Sequence, residues 1–143
     1  MEFGYNKNMA KRTRPNLNFT LLCDDVRQEA GGKVSLMGIF ENLYSSHFPA
    51  VHPRLATVNE WTEGTGEFDA TLRILSPDRK TIIRETITRL KLVDARYKHR
   101  DISIHLNLEL KEPGTYWIEN YIDGLLVNSV PLHVILIKEK SFH

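Results

Sequence analysis

Residues 112–137, EPGTYWIENYIDGLLVNSVPLHVILI, decide the fold class. Two runs rich in β-branched and aromatic residues meet at Asp123-Gly124, the dipeptide favoured in two-residue hairpin turns because both central positions need positive φ. A strict two-residue turn would set Ile118 against Ser129, an apolar side chain against a polar one. Shifting one strand by a residue sets Ile122 against Leu126, Asn120 against Asn128, Ile118 against Val130 and Tyr116 against Leu132. The apolar set then shares a face. The sequence therefore predicts a bulge or an enlarged loop within 123–129, with Asn120 and Asn128 bonded to each other on the inward side.

Working back from this hairpin, the same alternation recurs. In residues 66–75, GEFDATLRIL, Phe68, Ala70, Leu72 and Ile74 fall on one face of a half-buried strand. In 102–110, ISIHLNLEL, the alternation points Ile102, Ile104, Leu106, Leu108 and Leu110 inward and Ser103, His105, Asn107 and Glu109 outward. Residues 54–61 and the stretch TIIRETITRLKLV supply two further strands. Near the start, Phe19, Leu21 and Cys23 alternate until Asp24-Asp25 ends the strand, and residues 25–30 read as a short helical fragment. Residues 33–44, KVSLMGIFENLY, read as one strand that pairs antiparallel with the first and carries a bulge at Gly38. Prolines 49 and 53 mark 47–53 as a crossing loop, excluded from a central strand.

Seven to eight strands separated by turn signals point to an all-β, two-sheet antiparallel β-sandwich, immunoglobulin-like, with a small β-barrel as the alternative. Residues 1–16 read as a flexible basic N-terminal arm, and residues 17–139 as a single β-sandwich domain. At 143 residues the chain is long enough to bury a core without staples. Its lone cysteine, Cys23, reads as a small buried hydrophobe, and a reducing, cytoplasmic setting follows. With 19 basic and 18 acidic residues there is no global field to recruit nucleic acid or an anionic membrane. A local nucleic-acid contact through the arm and Arg96, Lys98, His99 and Arg100 is the weakest reading. No apolar run reaches the ~20 residues of a membrane span, and the first twenty residues lack the apolar core of a secretion signal.

Chemistry-bearing patterns are sparse. The six histidines, at 47, 52, 99, 105, 133 and 143, show no zinc-ligand spacing. Asp24, Asp25 and Glu29 lack the loop pattern of a calcium site and read as turn caps or as ion-pair partners of Arg27 or Lys33. Nothing near Cys23 would activate a thiolate. These patterns predict no enzyme, no metal and no cofactor. Trp117 and Tyr121 flank Glu119 on the outward face of their strand, and these three form the candidate binding surface.

Residues 22–49, LCDDVRQEAGGKVSLMGIFENLYSSHFP, resemble the N-terminal signature of a small family of uncharacterised bacterial proteins: C-D-D-V-R, then G-K-x-S-L-x-G-I-F, then F-P. Pro113-Gly114-x-Tyr116 and Asp123-Gly124 resemble the family's end, so the likeness spans most of 17–137. It implies a compact, cytosolic β-sandwich without known activity. Asp24, Asp25, Arg27, Lys33 and Gly38 are its signature positions, and no role transfers with them.

The function expected from the sequence is protein–protein association, as a homo-oligomer or an accessory subunit. The contact would run through the Trp117/Tyr121 face or an exposed sheet edge. The alternative is a small-molecule or carbohydrate-binding module using the same aromatics as a stacking platform, with His105, Asn107 or Glu119 beside them.

Overall fold

The computed structural model describes residues 12–138. Nine strands are found among them: β1 (Asn16–Gln28), β2 (Val34–Ile39), β3 (Asn42–Ser45), β4 (Ala50–Thr62), β5 (Gly66–Leu75), β6 (Ile82–Leu92), β7 (His99–Leu110), β8 (Gly114–Ile122) and β9 (Leu125–Leu136). They form a four-stranded sheet in the order β2-β1-β4-β7 and a five-stranded sheet in the order β3-β9-β8-β5-β6, one of them curled into a half-barrel. The fold is all-β with two sheets. The strand count exceeds the seven to eight expected, and the strand orders do not reproduce the immunoglobulin arrangement. Nor is the pairing wholly antiparallel, since β3 runs parallel to β9.

The closing hairpin forms much as its pattern demands. Asp123 and Gly124 both adopt positive φ, at 46° and 82°, in a two-residue turn that sets Ile122 opposite Leu125. The register then shifts between Asn120 and Tyr121, so that Val127 is the extra residue. Beyond it Asn120 faces Asn128, Ile118 faces Val130 and Tyr116 faces Leu132. The bulge therefore lies inside the predicted window, while Ile122 pairs with Leu125 rather than Leu126. A tight turn and a bulge satisfy both demands, the turn chemistry and the apolar phase.

The N-terminal half differs from expectation at three places. β1 does not stop at Asp24-Asp25, because main-chain pairing with β2 continues from Asp25↔Met37 to Gln28↔Val34. The helical fragment is absent, and only a three-residue 3-10 turn at Ala30–Gly32 links the hairpin. The segment read as one strand over 33–44 breaks in two at Phe40-Glu41, just past Gly38, whose φ is 68°. The break lets the chain leave the β1 sheet and place β3 against β9 in the other sheet.

Pro53 lies inside β4, a central strand, contrary to the rule that excluded it. The β1–β4 ladder ends at Cys23↔Ala56, so the proline's missing N–H faces no β1 partner, and the β4–β7 ladder skips Pro53 opposite Asn107. Asn107 has φ 52°, and there β7 changes phase. Leu108 and Leu110 point into the core, but on the other side of the step His105 is the buried residue while Ile104 and Leu106 face outward. The expected inward set of this strand is thus half reversed, because a local left-handed residue breaks the period of two.

The main core lies between the sheets, built by Leu55, Leu72, Ile74, Leu108, Tyr116, Ile118 and Leu132, with a second group around Trp61, Phe68, Leu90 and Ile122. A third cluster, Cys23, Ala56 and Val58, sits on the opposite face of the four-stranded sheet, packed by Phe19, Val26, Leu36 and Ile102. Arg12 donates to the carbonyl of Glu67 and pairs with the Asp123 carboxylate, and its guanidinium lies over Phe68. Thr13 bridges to Thr65. Within residues 12–16, expected to be part of a flexible arm, Arg12 is therefore tied to the hairpin tip and Thr13 and Asn16 to the β4–β5 turn. Residues 1–11 and 139–143 lie outside the described residues.

Candidate functional site

The outward face of β8 carries Trp117, Glu119 and Tyr121, as the alternation required. Each aromatic is covered by an arginine, Tyr121 by one on the neighbouring strand β5 and Trp117 by one in the β5–β6 turn. The Arg79 guanidinium lies 3.8 Å from the Trp117 ring centroid, and that of Arg73 lies 5.0 Å from the Tyr121 ring. Tyr121 donates its hydroxyl hydrogen to Glu119 Oε1 at 2.6 Å, and Arg73 pairs with Glu85 at 2.6 Å. The hydrogen bond to Glu119 and partial burial raise the Tyr121 phenol above its ordinary range. The three residues are thus brought together, but the Tyr121 hydroxyl, a Glu119 carboxylate oxygen and one face of each ring are already engaged within the chain. Sequence reading found the aromatics and missed their covers. Arg73 sits directly across the β5–β8 ladder from Glu119, whereas Arg79 comes from the β5–β6 turn and gives no signal in the pattern.

Local contacts are formed at Asp24, Asp25, Lys33 and Gly38 among the signature positions. Asp24 packs over Gly38, whose φ of 68° favours glycine and where an added Cβ would push the Asp24 carboxylate aside. Asp25 accepts from its neighbour's main chain, Val26 N–H, at 2.9 Å and from Arg54 at 3.1 Å. Both hold its carboxyl below the usual range, the main-chain bond most. Arg54, not Arg27 or Lys33, is the ion-pair partner. Lys33 contributes its carbonyl to the N–H of Glu29, and Glu29 accepts from Ser35. The oxygen-rich triad read from sequence is thus divided among three separate tasks.

No pattern in the residues singles out the outward face of the four-stranded sheet. Its registers align Ile39, Cys23, Ala56 and Ile104 in one row across all four strands, with Leu21, Val58 and Ile102 in the next. The row on the other side runs Asp25, Arg54 and Leu106. Small side chains at the centre are sealed, while the flanks stay open: Ile39 is 51% exposed, Ile104 39% and Leu106 52%. A sheet face turned to water is ordinarily polar. Here the charges stand at its ends and are paired within the chain, Asp25 with Arg54 at one end and Glu60 with Lys98 and Arg100 at the other. The phase change at Asn107 hides this face from a strict period-two reading.

Groups that could do chemistry lie elsewhere. Burial raises the Cys23 thiol, against the activation a nucleophile needs. Burial in the core, with Arg84 as a lesser cause, lowers His105 to about 4; its Nε2 lies 3.1 Å from Thr57 Oγ1. The two residues are placed on opposite faces of their sheet.

A model of a family of unknown function, DUF6941, matches residues 18–135, a span that reaches from β1 to the end of β9. The chain belongs to DUF6941. No curated protein matches it. The DUF6941 match covers both sheets and every signature position, and leaves out the anchored residues 12–17. Among the described residues of this DUF6941 chain, no helix is long and apolar enough to cross a membrane.

Proposed function

We propose that this chain is a non-catalytic β-module that works by protein association, and that its first partner is a second copy of itself, joined through the outward face of the β2-β1-β4-β7 sheet. The observation that carries this reading is the exposed apolar row of Ile39, Ile104 and Leu106 flanking a sealed centre. The three side chains are already about half covered, so completing their burial is worth roughly half of the ~1.5–3 kcal/mol of a full burial for each, a driving force a lone solvated sheet face forgoes. Asp25 and Arg54 at one end, and Glu60 and Arg100 at the other, are already paired in the chain, so stacking two identical faces leaves these charges matched. Sheet-on-sheet stacking of this kind is the usual way two apolar sheet faces are covered. Supporting the absence of catalysis, Cys23 is buried with a raised pKa and His105 is enclosed in the core. A buried thiol of this kind suits a reducing, cytoplasmic setting.

Light scattering across a concentration series tests the reading. The wild-type chain should show a defined dimer, Leu106→Glu and Ile104→Glu should be monomeric and folded, and Trp117→Ala should assemble like wild type. A monomer at every concentration, or a dimer insensitive to both glutamate variants, would overturn it.

A further inference from the structure

β6 and β7 are edge strands of different sheets, each hydrogen-bonded to a single neighbour, β5 and β4 respectively. They run close where Arg84 Nη2 donates to the Leu106 carbonyl at 3.0 Å. Beyond that contact the left-handed Asn107 turns β7, and the two edges part around a cavity of about 470 Å³. This volume falls in the ~300–1,000 Å³ range of sites that take small ligands. Its floor is the buried Tyr116 ring and Ile83, held in place because the Tyr116 hydroxyl donates to the Glu112 carbonyl at 2.7 Å. Its walls carry two cations, Arg84 and Lys111, and three carboxylates, Asp78, Glu109 and Glu112.

We propose that this mouth is a binding site for a short extended peptide segment of another protein, which lays its main chain along the free edges of β6 and β7. Strand addition to an open edge is the recognition these elements offer, since the edges supply main-chain donors and acceptors and the apolar floor supplies a side-chain pocket. The charge balance selects the ligand class. Three carboxylates against two cations disfavour a phosphate or nucleotide, whereas a peptide main chain is neutral and dipolar, with donors and acceptors for both kinds of wall. The site borders the proposed dimer face at Leu106, whose carbonyl accepts from Arg84, and peptide binding is read independently of whether that dimer forms.

The test pans the full-length chain against a displayed library of random eight-residue peptides and measures the affinity of synthetic copies of the enriched sequences by calorimetry. Ile82→Arg at the rim and Glu109→Arg on the wall change exposed side chains, so both variants should fold, checked by circular dichroism. Each should weaken the enriched peptides by roughly tenfold or more, the scale of one lost anchor, while Ile104→Glu leaves them unchanged. Amide shifts on peptide addition should centre on residues 82–84 and 107–112. Failure to enrich any peptide would overturn the proposal, as would peptides that bind both rim variants as well as wild type.

Discussion

Asn59 Nδ2 donates to Asn120 Oδ1 at 2.9 Å, joining β4 of one sheet to β8 of the other through the middle of the core. The pair belongs to a closed polar cluster. Thr20 donates to Asn59 at 2.6 Å, Asn120 donates to Thr20 at 3.0 Å and to Asn128 at 2.8 Å, and Asn128 donates to Thr20 at 3.2 Å. Both Asn59 and Asn120 are buried, and their amides find partners on each side. A satisfied network of this kind costs little by itself but penalises any slip of one sheet over the other, because a slip strands several amides at once.

Asn120→Ala should therefore be among the costlier single changes in the core. It leaves the Asn59 amide without its acceptor and removes the donor to Thr20 and Asn128, for a loss of about 2–4 kcal/mol in urea unfolding. Asn128→Ala, at the half-buried margin, should cost clearly less. Equal effects from the two variants would mean that burial does not set the weight of this cluster.

Gly38→Ala should destabilise for two separable reasons. The positive φ costs an L-residue about 1–2 kcal/mol, and the new Cβ meets the Asp24 carboxylate. Asp24→Ala removes the second cause and leaves the first. In a double-mutant cycle the pair should be less destabilising than the sum of the singles. Strict additivity would show that Asp24 does not press on this position.

Stability should fall as the pH drops from about 6.5 toward 4, in part through His105. The folded chain holds this imidazole neutral down to about 4, whereas the unfolded chain takes up a proton near the ordinary value of 6.5. Between those values the unfolded state binds more protons, so the contribution is complete above 6.5 and is lost as the pH falls through the window. Allowing for solvent screening it amounts to roughly 2–3 kcal/mol. The groups around the imidazole are the Thr57 hydroxyl and the Arg84 guanidinium. His105→Gln should flatten this part of the profile, and an unchanged slope in that variant would assign it to other groups.

The sequence carried the register of the closing hairpin because two local rules conflicted there. Asp123-Gly124 demanded a tight turn, the apolar residues demanded the opposite phase, and a bulge at Val127 is the smallest device that honours both. β5 was equally plain, since its alternation is unbroken from Phe68 to Ile74. β7 was misread because Asn107 takes a conformation that nothing in its neighbours announces. The split of 33–44 into β2 and β3 depends on Gly38, which signalled an irregularity but not a change of sheet. The aromatics of β8 were visible as a stripe, yet their arginine covers come from β5 and from a turn that only folding brings alongside.

The residues by themselves determined the all-β class, most strand positions, the buried lone thiol and the inward amides, because side-chain period and turn chemistry act over a few neighbours. Tertiary structure decided which strands are neighbours, that Arg54 pairs with Asp25, and that Ile39, Ile104 and Leu106 share one open face. It also decided that β6 and β7 part around a cavity. These features join residues tens of positions apart, and such pairings are fixed by the packing of whole sheets rather than by local preference.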